Sequence, residues 1–134
     1  MELDRTRLLR HALRGNALFT AACAAVLLID GGALAAPFGL DDALPLRAFG
    51  AFFAVFAAVL WLVARRERRI EALALTVGDG AYAIGSVLFV DLWPHALSAT
   101  GRAAVLVVAA GVAVCVAAQA TGLHRAQNAF ARPV

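Results

Sequence analysis

The sequence contains no lysine; all twelve of its basic side chains are arginines. It has only two cysteines and three histidines, and neither type recurs at a zinc-ligand spacing. No phosphate-binding loop, nucleophile elbow or kinase motif occurs. The absence of these patterns argues against a metal-organised domain, a nucleotide-loop enzyme and a serine hydrolase, and the chain is read as a non-enzyme with no cofactor and no metal. Charge of either sign is missing from residues 48–64 and 103–123. Apolar runs of that length exclude the amphipathic pattern of an ordinary soluble helix, which exposes a polar face.

The chain does have a great deal of apolar surface: 63% of its 134 residues are hydrophobic, with mean hydropathy +0.81. A helix needs about 20 apolar residues to cross roughly 30 Å of hydrocarbon. Four such spans are predicted at about 15–36, 46–64, 71–92 and 102–123, so the expected fold is all-α, a polytopic four-transmembrane-helix bundle forming a single domain over 1–134. Residues 1–14 read as a basic interfacial segment whose Leu3, Leu8, Leu9, Ala12 and Leu13 can lie on the bilayer. Pro37, Gly39, Asp41, Asp42 and Pro45 mark the first outer loop, and Asp91, Trp93, Pro94 and His95 open the second. Residues 124–134 are the tail. An arginine-rich start, an apolar run from Ala17 to Ile29 and the segment Ala33-Leu34-Ala35 also resemble a cleavable signal peptide. The expectation is that this stretch is retained as the first span.

Ten of the twelve arginines fall on one side of this plan. Arg5, Arg7, Arg10 and Arg14 precede the first span, Arg65, Arg66, Arg68 and Arg69 separate the second from the third, and Arg125 and Arg132 follow the fourth. Only Arg47 and Arg102 occupy the other connections. Short cytoplasmic loops retain Arg and Lys, which predicts both termini in the cytoplasm. Arginine without lysine, together with abundant alanine, points to a GC-rich bacterial genome and hence to the bacterial cytoplasmic (inner) membrane. The net charge of +3 is not a nucleic-acid signal, because the arginines flank spans and form no phosphate-tracking face. Anionic lipid headgroups are the expected counterion, with a membrane-protein partner or a second copy of the chain as the expected protein contact.

Two carboxyls lie inside the predicted spans, Asp30 and Asp79. Each costs about 2.5 to 3.5 kcal/mol of insertion free energy near a helix centre, against about 0.3 to 0.6 kcal/mol returned by each large aliphatic or Phe residue. Such groups face a bundle interior or a wet cavity. Steps of three and four place Asn16, Thr20, Cys23, Leu27 and Asp30 on one face of the first span, Thr76, Asp79, Tyr82 or Ala83, and Ser86 on one face of the third, and Cys115, Gln119 and Gly122 on one face of the fourth. A polar seam of Asn16, Thr20, Thr76, Asp79, Tyr82 and Gln119 centred on Asp79 is therefore expected. It serves as interhelical glue or, alternatively, as a ligand, proton or ion site. Asp30 is a possible second polar site, with Arg47, Arg102 or His95 as candidate partners. His11 and His124 are read as surface residues, and Cys23 and Cys115 as buried small hydrophobes.

Small residues four apart, Ala17, Ala21 and Ala25 in the first span and Ala109, Ala113 and Ala117 in the fourth, predict close helix approach. The second span, with Phe49, Phe52, Phe53, Phe56 and Trp61, is bulky instead and is expected to face lipid or a partner. Asp30-Gly31-Gly32-Ala33 and Asp79-Gly80-Ala81-Tyr82 echo one another, as a parallel repeat of two hairpins would require.

Three resemblances bear on function. Thr76-Val77-Gly78-Asp79 resembles the Gly-x-Gly-Asp motif of aspartyl intramembrane proteases, but the first glycine is missing. An Asp30–Asp79 dyad would also be offset by about 10 Å along the membrane normal at 1.5 Å per residue, whereas a dyad shares one water or proton. Length and span number are similar to the small multidrug resistance transporters, whose mechanism implies a glutamate in the first helix; that span has none. Taken whole, the chain looks like the small Ala-rich four-helix bacterial integral membrane proteins of unassigned function. That likeness rests on architecture and implies no catalytic residues. The expected role is that of an accessory or structural component packing against another membrane protein or itself.

Overall fold

The computed structural model describes residues 2–66 and 68–130, with side chains described for 7–66 and 68–125. Glu67, Arg132 and the end of the tail therefore lie outside the described residues, and Leu3 and Arg5 outside the described side chains. Five helices follow one another: α1 (Glu2–Ile29), α2 (Gly31–Phe38), α3 (Leu44–Arg66), α4 (Arg69–Leu92) and α5 (Ala99–Phe130). The segments Arg7–Ile29, Leu44–Arg66, Arg69–Leu92 and Ala99–Arg125 are long and apolar enough to cross a membrane.

The basic start is continuous with the first span rather than a separate interfacial helix. No proline intervenes, and Gly15, a single glycine in open space, does not break the helix. Leu13 is only 2% exposed, and Leu9 packs on the apolar core, so these two leucines face neighbouring helices.

The first span ends earlier than expected, at Asp30, where the backbone turns to φ −98°, ψ 4° ahead of two weak helix formers, Gly31 and Gly32. Asp30 N–H still donates to Val26 O at 2.9 Å, and Leu34 N–H to Asp30 O at 2.9 Å, so the chain kinks without unwinding. α2 then stops in a Schellman arrangement: Leu40 N–H reaches Ala35 O, Gly39 N–H reaches Ala36 O, and Gly39 takes φ 77°.

α1 packs along α3, α4 packs along α5, and α1 also crosses α5. The consecutive helices α3 and α4 meet little; an edge-to-face contact between Phe53 and Tyr82, centroids 5.6 Å apart, joins them. Close approach depends on glycine more than on the predicted alanine ridges. A Cβ on Gly50 of α3 would stand 2.9 Å from Leu28 Cγ, one on Gly111 of α5 would run into the Phe19 ring, and one on Gly122 would stand 2.9 Å from Leu9 Cα. Ala17, Ala24 and Ala109 are buried, but Ala21, Ala25, Ala113 and Ala117 are exposed. At 3.6 residues per turn, each step of four overshoots a full turn by about 40°. A strict four-residue ridge thus leaves a contact face that mixed steps of three and four retain.

The bundle is joined at three levels. At the arginine-rich end, Leu13 and Ala17 of α1, Leu60, Val63 and Ala64 of α3, Ala72 of α4 and Leu123 of α5 form the apolar core. The polar seam lies next. At the opposite end Ser98 caps α5: its hydroxyl accepts from Gly101 N–H at 3.0 Å and donates to Pro37 O at 2.5 Å, while Ser98 N–H donates to Phe38 O at 2.9 Å. Gly101 lies so close to this junction that a Cβ there would stand 3.0 Å from Phe38 O.

Candidate functional site

Asp79 is the eleventh residue of α4, counting from Arg69. At 1.5 Å per residue this places it about 15 Å from the helix start, close to mid-span. Thr76, one turn earlier, shares its inward face. α1 contributes Asn16 and Thr20, again one turn apart, and α5 contributes Gln119. Asn16 and Gln119 are each 0% exposed, Asp79 is 4% exposed, and Thr20 and Thr76 are also buried. Five polar side chains from three helices are thereby removed from the surrounding medium together.

Their hydrogen bonds converge on one atom. Asn16 Nδ2 donates to Asp79 Oδ2 at 2.6 Å, and Gln119 Nε2 donates to the same oxygen at 3.3 Å. Behind Asn16, Thr20 Oγ1 donates to Asn16 Oδ1 at 3.3 Å. Behind Gln119, Thr76 Oγ1 lies 2.8 Å from Gln119 Oε1 and 2.8 Å from Ala72 O, two acceptors for its single proton. Each amide accepts on its oxygen and donates from its nitrogen, so the donor direction runs inward from both hydroxyls to the carboxyl. Oδ1 makes no hydrogen bond among the described residues. Every partner is neutral. The arrangement can hold an acceptor carboxyl between α1, α4 and α5, and it can take a proton on Oδ1 without losing either bond to Oδ2.

The other predicted residues sit elsewhere. Tyr82 turns its ring to Phe53, and its carbonyl accepts from Ser86 Oγ at 2.8 Å, so it lines the α3–α4 contact and is not hydrogen-bonded to Asp79. Asp30 is exposed at the α1–α2 kink and has no hydrogen-bonding or ionic side-chain partner among the described residues. None of the candidate partners Arg47, Arg102 and His95 pairs with it, although a Cβ on Gly32 would stand 3.8 Å from Arg47 Nη2. Because the helix ends one residue before it, Asp30 occupies a span terminus. Cys23 and Cys115 are free thiols of intermediate exposure. Among the described residues no group of three or more His, Cys, Asp or Glu side chains is placed to hold a metal ion.

One cluster was not anticipated from the sequence. The guanidiniums of Arg14 on α1 and Arg65 on α3 lie 5.6 and 5.9 Å from the ring centroid of Trp61. The spacing of four between Trp61 and Arg65 was a legible signal; the approach of Arg14 depends on how α1 and α3 pack.

No protein-family model, curated protein or solved structure matches the chain. The fold and site define an all-α protein with four candidate membrane spans and one buried polar network.

Proposed function

We propose that the chain is a non-enzymatic, multi-pass protein of the bacterial cytoplasmic membrane, with both ends in the cytoplasm, that acts by packing against another membrane protein or a second copy of itself. The observation that carries this reading is the surface of α5. Only 17% of its most apolar window is buried, against 33% for α3, although α5 touches both α1 and α4. Ala110, Ala113, Ala117 and Ala120 are all exposed, a smooth face of the kind that lets membrane helices approach. The Asp79 network supports the same reading, since its donors are the chain's own amides and they tie three helices together. The arginine distribution supports the orientation.

Introducing bulk on the exposed α5 face tests the proposal. Ala113→Leu with Ala117→Leu is expected to abolish the cross-linked assembly recovered from membranes, while Asp79→Asn preserves it. Assembly unaffected by the two leucines would sink the idea. A second reading, proton or small-ion binding at Asp79, has the unpartnered Oδ1 in its favour. It predicts that Asp79→Asn abolishes proton or ion uptake by proteoliposomes while the folded bundle is retained.

A further inference from the structure

We propose that the groove between α1 and α3 is the binding site of one anionic phospholipid, drawn from the leaflet on the arginine-rich side; this rests on the membrane reading above. The groove encloses about 420 Å³ and is walled by apolar side chains, chiefly Leu18, Ala21, Ala25, Leu28, Ala54 and Ala58. Trp61 lines its arginine end. Toward the other end, Leu27 and Leu28 press against Gly50 and bring the two helices together.

Length and charge select the occupant. From Ala17 to Leu28 the lining advances by eleven helical steps, about 16 Å at 1.5 Å rise. One leaflet contributes about 15 Å of the roughly 30 Å hydrocarbon core, so the groove matches a single acyl chain. A transmembrane helix would need a groove through both leaflets, and this one closes at Gly50. One turn beyond the mouth, Arg14 and Arg65 flank Trp61. Neither guanidinium has a carboxylate partner among the described residues, and Arg14 Nε is sealed without an acceptor. Two cations beside an indole, at the depth where an acyl chain meets its headgroup, complement a phosphodiester. A lipid with net negative charge leaves that attraction uncancelled, whereas a zwitterionic headgroup brings its own cation.

The sequence has two tryptophans, so Trp93→Phe makes Trp61 the sole indole reporter. The full chain carrying that substitution is reconstituted in phosphatidylcholine vesicles containing a minor fraction of phosphatidylglycerol, with one or other lipid brominated on its acyl chains. Brominated phosphatidylglycerol is expected to quench Trp61 on the order of tenfold more per mole than brominated phosphatidylcholine, as two arginine contacts at a membrane surface allow. Arg14→Gln with Arg65→Gln should remove that preference. Ala21→Leu with Ala58→Leu should reduce quenching by both lipids while the arginines remain. Equal quenching of the Trp61 reporter by the two lipids, or a preference that survives loss of both arginines, overturns the site. So does weak quenching accompanied by a dimer that Ala21→Leu disperses, since a second copy would then fill the groove. Vesicle flotation separates the two levels: protein that fails to float overturns the membrane reading itself, while protein that floats but shows no preference overturns the lipid site alone.

Discussion

Asp79 Oδ2 receives two amide donors from helices that are remote in sequence, 63 and 40 residues away. A buried donor left unpaired costs about 1–3 kcal/mol, but interhelical hydrogen bonds within membranes average about 0.6 kcal/mol because the unfolded chain also finds partners. Asp79→Ala, which orphans both amides, is therefore expected to destabilise the bundle by about 1–3 kcal/mol. Asp79→Asn retains an acceptor oxygen and should cost under about 1 kcal/mol. Unfolding in mixed detergent micelles measures both, and equal stability of the alanine variant and the wild type would show that the network contributes nothing. The membership of Asn16, Thr20, Thr76, Asp79 and Gln119 was legible because helical spacing determines which side chains share a face. Tyr82 was misplaced because spacing does not determine how far one helix rotates against its neighbour. Asp30 was misplaced because the kink at Gly31-Gly32 moves it to a span end.

Among the helices, close contact depends on where glycine removes a Cβ. Gly122 lies against the backbone of Leu9, which cannot rotate away, whereas a methyl group added at Gly15 would meet nothing within 4 Å. Gly122→Ala should therefore lower stability by about 1–3 kcal/mol through overpacking. Gly15→Ala should raise it by about 0.5–1 kcal/mol by restricting the unfolded chain. Opposite shifts in melting temperature in detergent are the expected result, and shifts of the same sign would show that the α1–α5 approach is not tight. The four long helices could be read from apolar runs and their turns from Pro, Gly and arginine. The Ser98 junction could not, because it depends on residues 37–39 and 98–101 meeting across the fold.

For the whole molecule, the proposed orientation rests on the arginine distribution. Reporters fused to either end are expected to lie in the cytoplasm. Replacing Arg65, Arg66, Arg68 and Arg69 with Gln leaves the arginines before the first span as the main remaining bias, so a mixed population of orientations is expected. Cysteine labelling from the two sides of the membrane measures it, and an unchanged single orientation would show that this cluster is dispensable.

The order in which the helices are made adds a temporal side to the convergence on Asp79. When Asp79 emerges from the ribosome, Asn16 has already emerged but Gln119 has not. At about 5–20 residues per second, the 40 residues between Asp79 and Gln119 take roughly 2 to 8 s to synthesise. Over that interval the carboxyl has at most one of its two donors, and the Thr76 hydroxyl lacks Gln119. A nascent chain halted before α5 thus carries an incompletely bonded acid in α4, a chemical difference between an unfinished chain and a finished one.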